Sequence, residues 1–358
     1  MSRWLALTKD PTTGGSTLDV LEGLAIPSPT LFVPVSTATV DGGETRQDRK
    51  DEVRGRRADT APISFAAAPK MTFTVRAYPK IVRELVRACF GSSISSTGTS
   101  PEAISSSVGP LQSGNLPMFI MWLLREGQLD RMTGVVVSEL AFKFPIDGEG
   151  TVDVTCEGLY HDSDDSTTPH DPNGEPAKAF PTASYSGYED TFMLRDATAY
   201  RGPGEGTEIA NLAGFNFTFN NGMIEDFKSR FRPNHNIEVV TISGVQHKLW
   251  YPARHKLGAQ QATGTVELSD VDPTSEQKQS FTHAEKLVFD IAAGPLGTTP
   301  AAEEMMRIAL FKHAPTGGGA EPLVREGDQT SAYEFSAYLD EGTNKDVEAT
   351  FVGAAALT

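Results

Sequence analysis

Alternation of apolar and polar side chains in the middle of the chain constrains the fold more than any other sequence feature. The alternating apolar residues are Leu140, Phe142 and Phe144 in one segment and Val152, Val154 and Cys156 in the next. A strand places successive side chains on opposite faces, so each segment would have one apolar and one polar face. A turn at residues 147–150, which contains two glycines, separates the segments. We therefore predict a β-hairpin with one buried face.

The same pattern predicts further strands along the chain. They are expected near residues 71–76, 215–219, 237–242, 262–268 and 286–291. The triplet Asn220-Asn221-Gly222 is typical of a hairpin turn. The last two strands, at 333–339 and 346–351, are predicted to form a terminal hairpin with Val347 and Phe351 facing inward.

Two short helices are predicted between the strands. Pro79 opens the clearer one, whose apolar residues share one face and which ends at Gly91. Residues 118–124 are apolar on nearly all sides, so we predict a second, buried helix that ends at Gly127.

These elements indicate an α+β fold that is mostly antiparallel β, because strands and helices do not alternate regularly. The Gly, Pro, Ser and Thr content predicts an extended, irregular region at 1–60 that includes a basic arm. We expect a β-domain at 61–358, with loop insertions near 92–114, 161–187 and 295–325.

The chain is strongly acidic, which restricts its partners. Its 358 residues carry a formal net charge of -16 at pH 7. Carboxylates repel DNA phosphates, so sequence-specific DNA binding is disfavoured, whereas a surface past which DNA slides without adhering is allowed. Lys9 and Asp10 interrupt the N-terminus before a signal-peptide core forms, and no stretch approaches the roughly twenty apolar residues of a membrane span. We expect a protein made in the cytosol that does not associate with membranes.

Motifs for catalysis and cofactor binding are absent from the sequence. There is no phosphate-binding P-loop and no serine-hydrolase elbow, and the glycine-rich residues 202–206 are interpreted as a turn. Residues 161–165 and 170–171 are the best metal candidate, but a solvated acidic loop is preferred because the spacing of a calcium loop is missing. Cys89 and Cys156 are expected to be buried thiols. We therefore expect neither an enzyme nor a cofactor.

A basic and aromatic cluster follows later in the chain. Its members are His247, Trp250, Tyr251, Arg254 and His255. Such residues can bind nucleic acid or sugar by stacking. The preferred interpretation is that they are aromatic strand residues in an interface.

The most basic segment of the chain lies at residues 44–57. Its cationic side chains are Arg46, Arg49, Lys50, Arg54, Arg56 and Arg57. The segment is interpreted either as a solvated loop or as an arm that docks on an acidic surface of a neighbouring copy.

Four parts of the sequence carry a resemblance to a known family. They are the basic segment with the strand and helix that follow it, the hairpin at 137–160, the stretch from Asn220-Asn221-Gly222 to 264–268, and the terminal residues 347–351. In order and pattern they resemble the major tail tube proteins of long-tailed, siphovirus-type bacteriophages. The likeness is one of pattern over most of residues 44–352, and no invariant or catalytic motif is part of it.

The resemblance implies a tail-tube-type β-sandwich or barrel with a flanking short α-helix and long loops. It implies hexameric rings that stack into a tube around a channel for DNA, within a virion tail assembled in the host cytoplasm. The implied partners are other copies of the chain, the tape measure, terminator and distal tail proteins, and genome DNA that passes without specific contacts.

Two sets of site residues follow from this interpretation. Glu139, Asp153 and Glu157 are predicted to line the lumen or the ring seams, where their charge would keep DNA from adhering. The basic arm is predicted to dock on an adjacent ring, which would make tube growth sensitive to salt.

Two other functions stay open. One is another tail or connector protein of the same fold, such as a tail terminator or distal tail protein, which would stop at a single ring. The other is a carbohydrate-binding host-attachment module, suggested by Trp250 and Tyr251.

Overall fold

The protein is described by a computed structural model. It covers residues 4–9, 31–47, 63–91, 102–105, 116–125, 128–164, 183–185, 188, 190–201, 207–209, 212–226, 237–242, 245–250, 254–269, 286–293, 305–318, 330–343 and 345–352. Over these residues the chain is mostly antiparallel β-structure, as the sequence predicts, and it has one short helix. Four sheets contain the strands.

The largest sheet has twelve strands. They are β1 (Trp4–Lys9), β2 (Leu31–Val33), β3 (Val35–Asp41), β6 (Lys70–Arg76), β8 (Phe119–Arg125), β9 (Gln128–Pro145), β10 (Thr151–Glu157), β11 (Tyr160–Asp164), β14 (Leu212–Asn220), β19 (Gln261–Ser269), β22 (Lys312–Gly318) and β23 (Thr330–Tyr338). Eight of them form a continuous antiparallel sheet in the order β3-β6-β10-β9-β14-β19-β23-β22, which we call the outer sheet.

The other sheets are smaller. Six strands form the second sheet: β7 (Glu102–Ser105), β12 (Phe192–Arg201), β13 (Thr207–Ile209), β20 (Leu287–Ala293), β21 (Met305–Leu310) and β24 (Val347–Val352). A four-stranded sheet contains β4 (Glu44–Gln47), β5 (Ile63–Ala67), β16 (Ile237–Ile242) and β17 (Val245–Trp250). A pair is formed by β15 (Ile224–Asp226) and β18 (Arg254–Lys256).

The predicted central hairpin is confirmed as the β9–β10 pair, in which Thr151 lies opposite Lys143. Its apolar residues face the core with those of the neighbouring strands, and Phe142, Phe144 and Phe217 are each at most 2% exposed. Burying one such side chain contributes about 1.5–3 kcal/mol to folding. The alternation read from the sequence therefore marks the wall of the core.

The six-stranded sheet and the helix cover much of this apolar wall. The six-stranded sheet packs on it through Phe289, whose ring stacks on Phe215 with centroids 4.0 Å apart. The helix α1 (Pro79–Phe90) packs beside that sheet, and the rings of Phe90 and Phe219 have their centroids 4.4 Å apart. The helix begins with Pro79 and is capped by Gly91 at φ 95°, as predicted.

The remaining strands of the largest sheet form a side sheet in the order β2-β1-β8-β9, with β11 on the other side of β9. Only the first half of β9 belongs to it: Leu129–Thr133 pairs with β11, whereas residues 136–143 pair with β10. Gly134 stands between the halves at φ 57°, a left-handed conformation that glycine adopts without strain. This residue redirects the strand from one sheet into the other.

The predicted second helix at 118–124 is wrong, because these residues form strand β8. Alternate side chains of β8 enter two different apolar clusters. Phe119, Met121 and Leu123 face the main core. Ile120, Trp122 and Leu124 pack with Trp4 and Phe32. A strand that is buried on both faces has no polar positions and so loses the period of two by which strands are detected.

The predicted terminal hairpin is also wrong. β23 pairs with β19 and β22 in the outer sheet, whereas β24 pairs with β21 and β7 in the six-stranded sheet. A single bridge between Asp340 and Lys345 joins the two segments. The inward orientation of Val347 and Phe351 is confirmed, with exposures of 0% and 6%.

Several expectations about turns and loops need correction. β21 and β22 lie within the predicted loop at 295–325, and β1 to β4 lie within the region expected to be irregular at 1–60. The strand after Asn220-Asn221-Gly222 pairs with β18, not with β14, so this turn does not close a hairpin. In the predicted loop at 92–114 the described residues form strand β7, and β11 extends into the predicted loop at 161–187. Most of the other residues of these two loops lie outside the described residues. Turn and loop signals are local, whereas the choice of pairing partner depends on distant strands.

Substituting alanine for Gly134 is expected to destabilise the protein by about 1–3 kcal/mol. A Cβ atom at this position would lie 2.7 Å from Cδ1 of Leu159, and the alanine would have to adopt the positive φ of Gly134. Urea unfolding of Gly134→Ala measures the loss. Gly342→Ala is the control, because its Cβ would lie no closer than 3.6 Å to Asp340. Equal stability of the two variants would contradict the role given to Gly134.

Candidate functional site

The outer sheet presents one long polar face, opposite the apolar wall. Three cross-strand rows of exposed or partly exposed residues define this polar face. The first row is Thr37, Thr74, Asp153, Ala141, Thr218, Thr263, Ser336 and Ala314. The row on one side is Thr39, Thr72, Thr155, Glu139, Asn220 and Gln261. The row on the other side is Arg76, Thr151, Lys143, Asn216, Thr265 and Glu334.

Short hydroxyl and amide side chains make up most of the polar face, and its three rows contain no aromatic residue. Most aromatic residues of the same strands, such as Phe73 and Phe335, point into the core, whereas Tyr338 follows Ser336 on the polar side of β23 and is 53% exposed at its end. Hydroxyl and amide groups of this kind bind water, and the three rows offer no ring on which a base or a sugar could stack. The carboxylates of this face stand out in the sequence, whereas its threonines were missed, although they alternate with core residues in β3, β6, β10, β14 and β19.

The structure places two of the predicted lumen residues, Glu139 and Asp153, on the polar face. Glu139 accepts a hydrogen bond from the side-chain amide of Asn220. Asp153 accepts hydrogen bonds from Lys143 Nζ at 2.6 Å and from Thr74 Oγ1 at 2.6 Å. The third residue, Glu157, lies on the same side of β10 as Asp153 and continues the polar face beyond the three rows, at the end where β10 faces Lys70.

Pairing makes the polar face less acidic than the sequence suggests. Burial raises the pKa of the Asp153 carboxyl, but the hydrogen bonds from Lys143 and Thr74 outweigh it and lower the pKa below the usual value. Asp153 is therefore ionised at neutral pH, and Lys143 balances its charge. Arg76 makes a similar contact with Glu149 at 2.8 Å. The face thus carries charges of both signs among neutral hydroxyl groups.

The basic arm begins as an extension of the outer sheet. β3 continues through Gly42 and Gly43 into β4, and β5 continues through Ala68 and Pro69 into β6, so both pairs belong to one long hairpin. The backbone of Arg46 pairs with Ser64 in this hairpin. The other cationic residues of the arm, Arg49, Lys50, Arg54, Arg56 and Arg57, lie outside the described residues.

The basic and aromatic cluster is divided between two sheets. His247 and Trp250 belong to β17, which pairs with β16 and meets β5 at Ala66. Arg254 and His255 belong to β18, and Tyr251 lies outside the described residues. His255 Nε2 is 2.7 Å from the carbonyl oxygen of Gly134, so this ring supports the bend in β9.

Of the metal candidate, only residues 161–164 belong to the described part of the chain. His161 Nε2 lies 3.3 Å from Oδ1 of Asp130, whose other oxygen accepts hydrogen bonds from Arg125. Burial raises the pKa of Asp130, but the hydrogen bonds from His161 and Arg125 outweigh it and lower the pKa. Within the described ranges, no group of three His, Cys, Asp or Glu side chains could hold a metal ion. Residues 165 and 170–171 lie outside those ranges.

The two cysteines are free and buried. Burial raises the pKa of the Cys89 thiol, and the main-chain carbonyl of Cys89 accepts a hydrogen bond from Asn221 at 2.7 Å. Both thiols therefore stay protonated and belong to the core. Among the described helices, none is long and apolar enough to cross a membrane.

No family model matches the chain, and no curated protein matches it either.

His255 makes stability dependent on pH. Burial lowers the pKa of His255 to about 4, against an ordinary value of 6.5. Between these values the unfolded chain takes up a proton that the folded chain does not, so stability falls as the pH falls from 6.5 to 4. His255→Gln keeps a donor for Gly134 but does not titrate. From pH 6.5 to pH 4, we expect the free energy of unfolding, measured in urea, to fall by about 2 kcal/mol less in this variant than in wild type. Parallel pH profiles would contradict the assignment.

Proposed function

We propose that the protein is a structural subunit of a bacteriophage tail tube, whose copies form stacked rings around a channel that conducts DNA. The observation that carries the proposal is the polar face: an antiparallel sheet with two edges and a long surface of mostly hydroxyl and amide groups, whose three rows contain no aromatic residue. This is the surface that a DNA-conducting channel needs. The resemblance of the sequence to major tail tube proteins supports the same function, and no enzymatic activity is proposed.

The edges of the outer sheet are suited to joining copies. In the described part of the chain, β3 pairs only with β6, and β22 pairs only with β23. Each edge strand therefore presents main-chain N–H and C=O groups to a further strand. The outer sheet has eight strands and every pair is antiparallel, so β22 and β3 run in opposite directions. β22 of one copy can thus pair with β3 of the next in the antiparallel sense, which continues the sheet across the junction.

The width of the outer sheet bears on the number of copies in a ring. Neighbouring strands lie about 4.8 Å apart, so six copies lined by all eight strands would enclose a channel about 70 Å across. Such a sheet also twists by about 20–25° per strand, so only part of it can run along one channel. We therefore propose a ring of six copies in which only part of each outer sheet lines the channel, in keeping with the tail tube family.

DNA compatibility follows from the chemistry of the polar face. Its hydroxyl groups bind water, and its cations are balanced by carboxylates such as Asp153. The chain as a whole carries a net charge of -16, which disfavours lasting contact with phosphates. DNA would therefore pass without specific contacts. The other proposed partners are further copies of the chain and the tape measure, terminator and distal tail proteins, in a virion tail assembled in the host cytoplasm.

Stacking of rings is assigned to the basic arm. The hairpin β4–β5 prolongs β3 and β6 beyond Asp41 and Lys70, at the opposite end of these strands from the β9–β10 turn. An arm at one end of the strand axis can reach the next ring along that axis. Contacts of this kind are heterologous, and heterologous contacts generate filaments.

Electron microscopy of the purified protein tests the proposal. Negatively stained samples at high concentration are expected to show hollow rings or tubes, whose end-on views give the number of copies. Tube length should fall with rising salt, because the arm acts through charge. A tail terminator would stop at one ring. Featureless monomers at every concentration would contradict self-assembly and favour the carbohydrate-binding alternative, which a glycan array then tests.

Charge reversal on the polar face is expected to slow DNA release. In virions that carry Glu139→Lys with Glu157→Lys, the channel would attract phosphates, and the rate of dye-detected DNA release should fall roughly tenfold while tails still assemble. Asp190→Lys with Glu208→Lys is the control, since it changes the net charge equally at exposed positions away from the face. An unchanged rate of DNA release in the variant with Glu139→Lys and Glu157→Lys would contradict the placement of the polar face in the channel.

A further inference from the structure

A groove lies at the β3 edge of the subunit, where the side sheet meets the outer sheet. It has a volume of about 970 Å³. Trp4, Leu124 and Tyr185 form its apolar wall, and the chain from Val33 to Ala38 runs along its other side. We call this the edge groove. It is large enough to hold the side chains of a short segment and is bordered by the edge strand β3.

One charged side chain lines the edge groove. Arg125 donates from Nε and Nη2 to Oδ2 of Asp130, at 3.0 and 2.5 Å. Asp130 is only 2% exposed, whereas the Arg125 side chain is 39% exposed. The buried carboxylate therefore fixes the orientation of the guanidinium, whose outer edge remains accessible. A guanidinium held in this way is suited to a carboxylate that enters from the groove.

The opposite edge of the outer sheet carries a protruding turn. Tyr338 is 53% exposed and Leu339 is 39% exposed at the end of β23. The Asp340 carboxylate fixes the turn, because it accepts a hydrogen bond from Thr343 and forms an ion pair with Lys312, whose Nζ lies 3.1 Å from Oδ1. Glu341 follows and is exposed. We call residues 338–341 the edge turn.

The edge turn and the edge groove complement each other in polarity and charge. Large hydrophobic side chains are exposed at four positions of the described chain: Ile146, Tyr185, Tyr338 and Leu339. Three of these four belong to the groove or the turn, and exposed apolar residues grouped in this way mark interaction surfaces. The turn ends in the carboxylate of Glu341, and the groove contains the cation of Arg125.

We propose that the edge groove of one subunit receives the edge turn of a second copy of the chain. Tyr338 and Leu339 pack against Trp4, Leu124 and Tyr185, and Glu341 binds Arg125. The inference rests on the proposed self-assembly and assigns its lateral contact. Because groove and turn lie at opposite edges, the contact is heterologous and passes from copy to copy. Closing a sheet into a barrel requires staggered strands, so a turn at the end of β23 can reach the middle of β3 in the next copy.

Paired cysteines test the contact directly. Thr37 is exposed at the groove and Leu339 is exposed in the turn, whereas the native Cys89 and Cys156 are buried. The Thr37→Cys, Leu339→Cys double variant, treated with a short bismaleimide, is expected to give a ladder of covalent multimers. A mixture of the two single variants should give covalent dimers and nothing larger. Thr37→Cys with Glu208→Cys, on the exposed strand β13, should give no ladder.

A second variant separates this inference from the proposed function. Leu339→Asp replaces an exposed side chain and should leave folding intact while weakening association at least tenfold, as measured by sedimentation. Rings or tubes without a cross-link between positions 37 and 339, and with normal association of Leu339→Asp, would overturn the inference but not self-assembly. A cross-linked ladder without hollow rings would support the contact and contradict the tube. Monomers without any cross-link would overturn both.

Discussion

Covering the apolar face of the outer sheet is the constraint on which the rest of the structure depends. Phenylalanines from β9 and β14 form much of that face, and no single element is wide enough to bury it. The six-stranded sheet covers one part, the helix α1 covers another, and the side sheet covers the remainder. The opposite face is then free to be polar along its whole width. The arrangement of the core thus determines where a hydrated surface can exist.

The bend in β9 connects these covering layers. One strand of 18 residues belongs to two sheets, and the change of direction occurs at Gly134. Leu159 and His255 pack on this bend, the first through its side chain and the second through a hydrogen bond to the carbonyl oxygen. A strand that continues past a bend lets the side sheet fold back toward the core without a break in the main-chain hydrogen bonding. The edge groove is a consequence, because it lies where the bent side sheet meets β3.

Sequence patterns predicted those elements whose two faces differ. The β9–β10 hairpin, β14 with its three phenylalanines, and the helix opened by Pro79 each have one apolar side, and all three were recognised. β8 escaped because both of its faces are buried. The pairing of β23 and β24 with different sheets could not be predicted, since alternation identifies a strand but not its partner.

The same limit applies to the candidate site. Carboxylates attract attention in a sequence, so Glu139 and Asp153 were found, while the hydrogen bonds that Asp153 receives from Lys143 and Thr74 depend on three strands coming together. The threonines of the polar face were visible one strand at a time. Their alignment into rows depends on the register of eight strands, which no local pattern encodes. The edge groove likewise combines residues from distant parts of the chain.

The even number of strands in the outer sheet limits how such a subunit can change during evolution. If copies join edge to edge, gain or loss of a single strand would make the two edges run in the same direction and would end the antiparallel ladder at every junction. Gain or loss of a hairpin preserves the alternation. Subunits built on this plan should therefore differ in sheet width by pairs of strands, and the hairpin β22–β23 at one edge is the unit in which that width would vary.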